Sequence, residues 1–236
     1  KPSAQPSSRS PTMPMASEVR PMFSTTNEQP AVPYENFALL VLMLTASFLV
    51  TGIGDSRIVT FVAGLLNVLA VVVGFASSDV SVRSPMVITL VLVGLAGPTV
   101  VYNSPAGEIA FGLGSLAHAL VLAVLSWGIV ARVLRHETVT LQTILGAIAA
   151  YLLVGQVFAW LYFALPGLVG EAVLDPPAAD GVPIYYSYVV LTTLGFGEIT
   201  PADPIAQRFT ILEALIGQVF LAVLVARLVS TYTKDD

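Results

Sequence analysis

The chain contains no cysteine and little charge of either sign. Charged residues make up 11% of its 236 residues, whereas hydrophobic residues make up 56%. Without cysteine, neither a disulfide framework nor a thiolate metal site can form. The ten basic residues are scattered, which excludes the concentrated basic surface typical of nucleic-acid binding. This composition is far from that of an average globular domain and indicates a membrane protein in contact with the lipid bilayer.

The sequence also lacks the residue sets on which most enzymes depend. Its apolar segments hold no Ser-His-Asp arrangement, no paired carboxylates, no histidine-rich ligand set and no phosphate-binding glycine loop. We therefore expect neither a cofactor nor an enzymatic activity.

Six long apolar segments follow a proline-rich amino-terminal tail. Residues 1–33 contain seven prolines and no apolar period, which predicts a disordered cytoplasmic tail. A helix needs about 20 apolar residues to cross a bilayer core of roughly 30 Å. The predicted spans are 34–51, 58–76, 85–102, 109–134, 138–165 and 204–231. We predict an all-α membrane protein in which 34–135 form a four-helix transmembrane domain and 138–231 form a second domain.

The positions of Lys and Arg predict the orientation, because these residues favour the cytoplasmic side of short loops. With the tail inside, eight basic residues lie inside and two outside, so both termini are predicted to be cytoplasmic at the cell membrane. The outer connections then carry Asp55, Glu108, Glu171, Asp175, Asp180, Glu198 and Asp203. Such an acidic face would concentrate cations at a pore mouth.

The segment between the fifth and sixth spans includes an aromatic stretch that is too short to cross the membrane. It contains the aromatic stretch "IYYSYVVLT" followed by "TLGFGEITP". Irregular backbone at membrane depth is tolerated where it lines a watery cavity or is buried in protein. We therefore predict a re-entrant pore helix over 184–193 and a return loop over 193–198.

The glycines of this loop suit a cation pathway. A dehydrated cation needs oxygen atoms in place of water, and rings of backbone carbonyls can supply them. An ordinary strand points its carbonyls alternately to opposite sides. Aiming them at one axis requires residues at positive φ, which glycine adopts readily, and Gly195 and Gly197 provide such positions.

The six residues "TLGFGE", from Thr193 to Glu198, resemble the potassium-channel selectivity filter, which reads Thr-Val-Gly-Tyr-Gly-Asp. The resemblance extends over 138–231, with an outer helix, a pore helix, a filter and an inner helix in the family order. It implies a homotetramer, since each chain supplies one of four filter loops, with K+ as the permeant ion. The ion-binding residues that it implies are Thr193, Leu194, Gly195, Phe196 and Gly197, with K+ held by the carbonyls of the first four and the Thr193 hydroxyl.

Three residues depart from the family pattern. Leu194 replaces Val, Phe196 replaces Tyr and so removes a hydroxyl, and Glu198 replaces Asp. In the family, a pore-helix Trp hydrogen-bonds that Asp, and Tyr185 and Tyr186 occupy the matching region here. We predict that a shorter aromatic residue facing a longer carboxylate preserves this contact; the alternative is a solvated Glu198 at the pore mouth.

The last span contains a candidate hinge and a candidate gate. Gly217 lies 22 residues after Gly195, a separation at which the resemblance implies a hinge, although close helix packing would also explain a glycine. Below it, Leu221, Val225 and Leu228 recur at helical spacing. They form either an apolar gate that closes by dewetting or a contact with the outer helix.

Glu213 is a carboxylate about two turns into the last span. Ionisable residues inside a membrane are candidates for function and seldom face lipid. We predict that it hydrogen-bonds behind the pore helix, near Thr192 or Tyr188, and that Thr192 and Glu213 both support the filter. Its role is either purely structural or pH-sensing.

The fourth span has no arginine ladder, because Arg132 and Arg135 both lie at its cytoplasmic end. Steep voltage gating needs several charges within the membrane field, so we expect little or no voltage dependence. Three functions remain open at this point. They are a potassium-selective channel, a weakly selective cation channel of the same architecture and a nonconducting auxiliary membrane subunit.

Overall fold

The computed structural model describes residues 36–51, 57–78, 107–135, 139–177 and 181–232, which are mostly helical. The helices in this part of the chain are α1 (Phe37–Thr51), α2 (Arg57–Ser77), α3 (Gly107–Arg135), α4 (Leu141–Val169), α5 (Val182–Leu191) and α6 (Pro204–Tyr232). Two short strands, β1 (Leu174–Asp175) and β2 (Thr200–Pro201), pair antiparallel. The predicted tail at 1–33 and the predicted span at 85–102 lie outside the described residues.

Three described helices are long and apolar enough to cross a membrane. They are Gly107–Arg135, Leu141–Val169 and the Pro204–Arg227 part of α6. The apolar stretches of α1, α2 and α5 are shorter. A helical fold with apolar, membrane-compatible helices is thus confirmed, whereas the total of six spans stays a prediction.

The ends of α4 follow from its capping residues. The Thr140 hydroxyl accepts from the Thr143 backbone N–H at 3.3 Å, and the Thr143 hydroxyl accepts from the Thr140 N–H at 3.3 Å, which forms a capping box. Gly170 adopts φ 83° and donates its N–H to the Pro166 carbonyl, a common helix stop. The helix therefore continues beyond the predicted end at 165 because Gly170, and not Pro166, terminates it.

Asp203 starts α6. Its Oδ1 accepts from the backbone N–H groups of Ile205 at 2.7 Å and Ala206 at 3.3 Å. A carboxylate at this position satisfies donors that have no partner inside the helix. Pro204 suits the first helical position, where a missing N–H costs nothing.

The described helices pack around two apolar clusters. The first joins α1 and α2 to α3 and α4, with Leu40, Leu122, Leu125 and Leu153 nearly inaccessible to solvent. The second joins α4 to α5 and to the start of α6. Its buried residues are Phe158, Tyr162, Leu165, Val173, Leu174, Tyr186 and Ala206. This second cluster fixes α5, and hence the loop that follows α5.

The two-stranded ladder holds that loop from its far side. Leu174 pairs with Pro201 and Asp175 with Thr200, and the Ala202 N–H donates to the Val173 carbonyl at 3.0 Å. The segment after the glycine-rich loop is therefore attached to the segment that follows α4.

Candidate functional site

The loop from Thr193 to Gly197 alternates between two backbone conformations. Thr193, Gly195 and Gly197 have φ angles of 60°, 53° and 86°, and no positive φ occurs at Leu194 or Phe196. Positive φ is uncommon for a β-branched residue such as threonine. Strained backbone of this kind is concentrated at functional sites.

The backbone N–H groups at the start of the loop all point toward α5. The N–H of Thr193 donates to the Val190 carbonyl at 2.9 Å, and those of Leu194 and Gly195 donate to the Val189 carbonyl at 2.9 and 3.3 Å. In a trans peptide the carbonyl points opposite to the N–H of the next residue. The carbonyls of residues 192–194 therefore all face away from α5, on one side of the loop.

The two threonines at this point have different surroundings. The Thr192 hydroxyl donates to the Tyr188 carbonyl at 2.6 Å, so this side chain folds back onto α5. The structure describes the side chain of Thr193 as exposed. Helix α5 ends at Leu191, two residues before the predicted end of the pore helix.

Tyr185 and Glu198 meet beside the loop. The Tyr185 hydroxyl donates to Glu198 Oε1, and both side chains are exposed in the single chain. Next to them is a cavity of about 180 Å³ between α5 and the loop. Its lining includes Tyr186, Val189, Gly195 and Ile199. The contact between a short aromatic residue and a long carboxylate is thus present, and it is formed by Tyr185 rather than Tyr186.

Tyr186 points instead toward α6. It is buried, and its hydroxyl lies 2.7 Å from Thr210 Oγ1. Its ring packs edge-on against Tyr162, with ring centroids 5.0 Å apart. Tyr186 therefore connects α5 to both α4 and α6.

Glu213 lies behind α5 and has no solvent exposure in the described structure. Its Oε1 contacts Ser187 Oγ at 2.5 Å, and its Oε2 accepts from the Tyr162 hydroxyl at 2.9 Å. The predicted position behind the pore helix agrees with this geometry. Its hydrogen-bond partners are Ser187 and Tyr162, and neither Thr192 nor Tyr188 bonds to the carboxyl group among the described contacts.

Three hydroxyl groups tie α4 to α5, and of these the sequence analysis named only that of Tyr188, as a neighbour of Glu213. We call this set the hydroxyl clasp. Tyr151 donates to the Leu191 carbonyl at 3.0 Å, Tyr188 to the Leu152 carbonyl at 2.7 Å, and Ser187 to the Gly155 carbonyl at 2.7 Å. Helical periodicity offered one signal for a face of α4 that carries hydroxyl groups. Tyr151 and Tyr162 are separated by about three turns and lie on the same face of this helix.

Gly217 lies against the end of α5. A Cβ atom at this position would lie 2.5 Å from the Leu191 carbonyl oxygen and 3.0 Å from Leu191 Cδ1. This close approach is sufficient to require glycine, whether or not the helix also bends here. Leu221 and Val225 are exposed in the single chain, and the side chain of Leu228 lies outside the described part.

No group of three or more His, Cys, Asp or Glu side chains able to hold a metal ion occurs among the described residues. The oxygen atoms that the loop offers to a cation are backbone carbonyls and hydroxyls. Such ligands suit a cation that exchanges its hydration shell in passing.

Comparison with known proteins shows that part of the sequence is similar to ion channels. Residues 119–234 match a protein-family model described as "Ion channel". Over 87 residues the chain is 42% identical to two pore potassium channel c of Oryza sativa subsp. japonica, covering 36% of this chain and 18% of that protein. Over 84 residues it is 29% identical to the inward rectifier potassium channel Kirbac3.1 of Paramagnetospirillum magnetotacticum, covering 36% and 28%. No solved structure matches the chain with statistical significance.

These alignments span less than a third of each curated relative. They confirm the potassium-channel resemblance, and for the matched segment they favour an ion channel over an enzyme. The segment from residue 119 to residue 234 matches an ion channel family model and is similar in sequence to potassium channels.

Proposed function

We propose that the protein is a potassium-selective channel that conducts K+ passively through a homotetrameric pore. The observation that carries this proposal is the backbone of the loop after α5. Carbonyls 192–194 share one side, and positive φ recurs at every second residue from Thr193 to Gly197. In the proposed filter, K+ is bound by the carbonyls of Thr193, Leu194, Gly195 and Phe196 and by the Thr193 hydroxyl.

The exposure of the loop supports assembly from several copies. Leu194 and Phe196 are 57% and 66% exposed in the single chain, although both are apolar. A single loop offers carbonyls from one direction, whereas a dehydrated cation needs oxygens around it. Large apolar side chains are also exposed along α6, including Ile211, Leu215, Val219, Val223 and Val229. Four copies around one axis would supply the missing carbonyls and cover part of this surface.

The proposed membrane arrangement has six spans, with both termini cytoplasmic. The basic residues near helix ends support it, because Arg227 of α6 donates to the Leu134 carbonyl at the end of α3 at 3.4 Å. Arg132 and Arg135 lie in the same last turn of α3. The inner helix and α3 therefore bring basic residues together at one end, as the positive-inside rule expects for the cytoplasmic side.

The charge distribution of the first described helices supports weak voltage dependence. No Asp, Glu or Lys occurs in α1 or α2, and Arg57 begins α2. In α3, Arg132 and Arg135 occupy the last turn. Few charges would therefore move through the membrane field, where each is worth about 2.3 kcal/mol per 100 mV.

The proposed gate lies on α6 below Gly217. Leu221, Val225 and Leu228 would form an apolar constriction in the tetramer, which closes by dewetting. The exposure of Leu221 and Val225 in the single chain supports this position. Gly217 would act as a hinge only if the close contact with Leu191 can open.

The experiment that tests the proposed function is ion flux through purified protein in liposomes. Potassium or sodium is supplied as the sole permeant cation, with and without barium. Flux in potassium alone, blocked by barium, is the expected result. Equal flux with both cations would show a weakly selective channel, which is the second candidate because Phe196 has no hydroxyl to tether the filter.

Absence of flux calls for variants that open the proposed gate. Val225→Ala and Leu221→Ala reduce the apolar surface at the constriction and should allow water to enter it. Flux in these variants would show a closed channel. Continued absence of flux from inserted, folded protein would favour a nonconducting auxiliary subunit.

Tyr185→Phe is expected to shorten the time for which the filter stays conductive. This change removes the hydroxyl that donates to Glu198 and leaves the ring in place. Glu198→Asp should have a similar effect, because the shorter side chain withdraws the acceptor. Single-channel recording in planar bilayers would measure the open time and the rate of inactivation.

The double variant Tyr185→Phe with Glu198→Asp provides the internal control. Two residues that act through one contact should be non-additive, so the double variant should resemble either single variant. Additive effects, or unchanged gating in both single variants, would show that Glu198 is simply a solvated charge at the mouth.

A further inference from the structure

A chain of hydrogen bonds joins α4, α5 and α6 behind the loop. Ser187 Oγ contacts both Glu213 Oε1 at 2.5 Å and the Gly155 carbonyl at 2.7 Å. The Tyr162 hydroxyl donates to Glu213 Oε2 at 2.9 Å. The Tyr186 hydroxyl lies 2.7 Å from Thr210 Oγ1. Thr210 in turn donates to the Ala206 carbonyl at 2.8 Å.

The number of hydrogen atoms available in this series of hydrogen bonds determines whether the Glu213 carboxyl group is protonated. A serine hydroxyl carries one hydrogen, and a carbonyl can only accept. Ser187 must donate to Gly155 if that bond is to exist, so the bond between Ser187 and Glu213 needs a hydrogen from Glu213. A neutral carboxylic acid supplies it, whereas a carboxylate leaves the two short contacts of Ser187 competing for one hydrogen.

The surroundings of Glu213 are uncharged. The titratable groups that act on it in the described part of the chain are the phenols of Tyr151 and Tyr162 on α4 and of Tyr186 and Tyr188 on α5. Phenols are normally neutral at physiological pH. Burying a charge without an opposite partner is strongly unfavourable, which agrees with the hydrogen count.

We propose that Glu213 is a protonated positioning residue, which donates to Ser187 and thereby holds the pore helix, and that its ionisation makes conduction dependent on pH. This inference rests on the proposed channel function for its electrical consequence. The protonated group completes the link from α6 through Ser187 to Gly155 on α4. The filter begins two residues after α5, so a displacement of α5 is transmitted to the filter carbonyls.

The direction in which pH changes conduction follows from the requirement for a neutral Glu213. At lower pH the carboxylic acid is present and the hydrogen-bond chain is complete. As pH rises and Glu213 ionises, Ser187 turns to the carboxylate, its bond to Gly155 is lost, and a charge is left in a buried site. Conduction is therefore supported at low pH and lost at high pH.

The variant Glu213→Gln distinguishes the effect of ionising residue 213 from the effect of losing its hydrogen bonds. Its amide nitrogen can donate to Ser187, and its amide oxygen can accept from Tyr162, but it does not ionise. Potassium flux through the full-length protein in liposomes would be measured from mildly acidic to mildly alkaline pH. Wild-type flux should fall about tenfold, the scale of losing one strong hydrogen bond, while flux through Glu213→Gln should be retained and flat.

Glu108→Gln is the matched control, because Glu108 is an exposed carboxylate in the first turn of α3. It should keep the wild-type pH profile. A Glu213→Gln channel with an unchanged wild-type profile would overturn the proposal and place the titrating group elsewhere. Loss of flux at all pH values in well-folded Glu213→Gln would also overturn it, since the amide would then be no substitute for the acid.

Infrared spectroscopy tests the protonated acid even in a protein that does not conduct. The carbonyl stretch of a buried carboxylic acid is separate from that of a carboxylate. Wild-type protein at neutral pH should show the acid band, and Glu213→Gln should lack it. Absence of the band from the wild type would overturn the proposal, whereas its presence without any ion flux would count against the channel function alone.

Discussion

Replacing Gly195 with alanine is expected to abolish potassium flux without preventing the protein from folding. Gly195 has φ 53°, and a Cβ at this position would meet no atom within 4 Å in the single chain. The penalty is therefore conformational, about 1–2 kcal/mol for each left-handed residue. Because four copies line the proposed pore, the combined cost corresponds to a fall in flux of roughly a thousandfold or more.

Gly170→Ala provides a matched control for this prediction. Gly170 has φ 83° and equally free space around its Cα, but it ends α4 and is not part of the loop. The Gly170→Ala variant has a similar backbone penalty, so this protein should lose some thermal stability and keep its potassium flux. Liposome flux and thermal unfolding would be measured for both variants. Similar losses of flux in the two variants would contradict a specific role for the backbone of Gly195.

Gly217→Ala is expected to lower thermal stability and to reduce flux at least about tenfold. The new methyl group would press on the Leu191 carbonyl oxygen, which is backbone and cannot turn aside. Overpacking of this kind typically costs about 1–3 kcal/mol, which exceeds the gain of about 1 kcal/mol from replacing a helical glycine. The end of α5 would be displaced from α6, together with the loop that follows it, which is the proposed filter.

Gly64→Ala is the control for helix propensity. Gly64 lies inside α2, and a Cβ there would meet no atom within 4 Å. This variant should be as stable as the wild type or slightly more stable. Normal stability of Gly217→Ala combined with a loss of opening would show that Gly217 serves as a hinge and that its packing against Leu191 is secondary.

The short helix α5 and the loop after it could be located from the sequence because their signals are local. The aromatic segment is too short to cross the membrane, and Gly195 and Gly197 have the spacing that alternating positive φ requires. The helix over Val182–Leu191 lies close to the predicted 184–193. Positive φ at Thr193 could not be predicted, because threonine seldom adopts it and a chain of local contacts with α5 maintains it.

The partners of Glu213 could not be identified from the sequence, because they depend on how three helices pack together. Its burial was expected from its place in an apolar span. Ser187 and Tyr162 become its partners through the relative rotation and height of α4, α5 and α6, which no local pattern encodes. The end of α4 was also misplaced, because proline commonly ends a helix and Pro166 follows the predicted end at 165. The only local signal for the longer helix was Gly170, which terminates it.

The hydroxyl clasp has unequal consequences for the residues at its two ends. Tyr151, Tyr188 and Ser187 donate through side chains, whereas Leu152, Gly155 and Leu191 accept through main-chain carbonyls. Every amino acid has a backbone carbonyl, so a substitution at Leu152 leaves the hydrogen-bond acceptor in place. A substitution at Tyr151 or Ser187 removes the bond. Gly155 is restricted for a different reason, since a Cβ there would lie 2.6 Å from the Tyr188 ring. In a saturation mutagenesis library, the donor positions of the clasp should therefore tolerate few substitutions. Leu152 should tolerate replacement by other apolar residues.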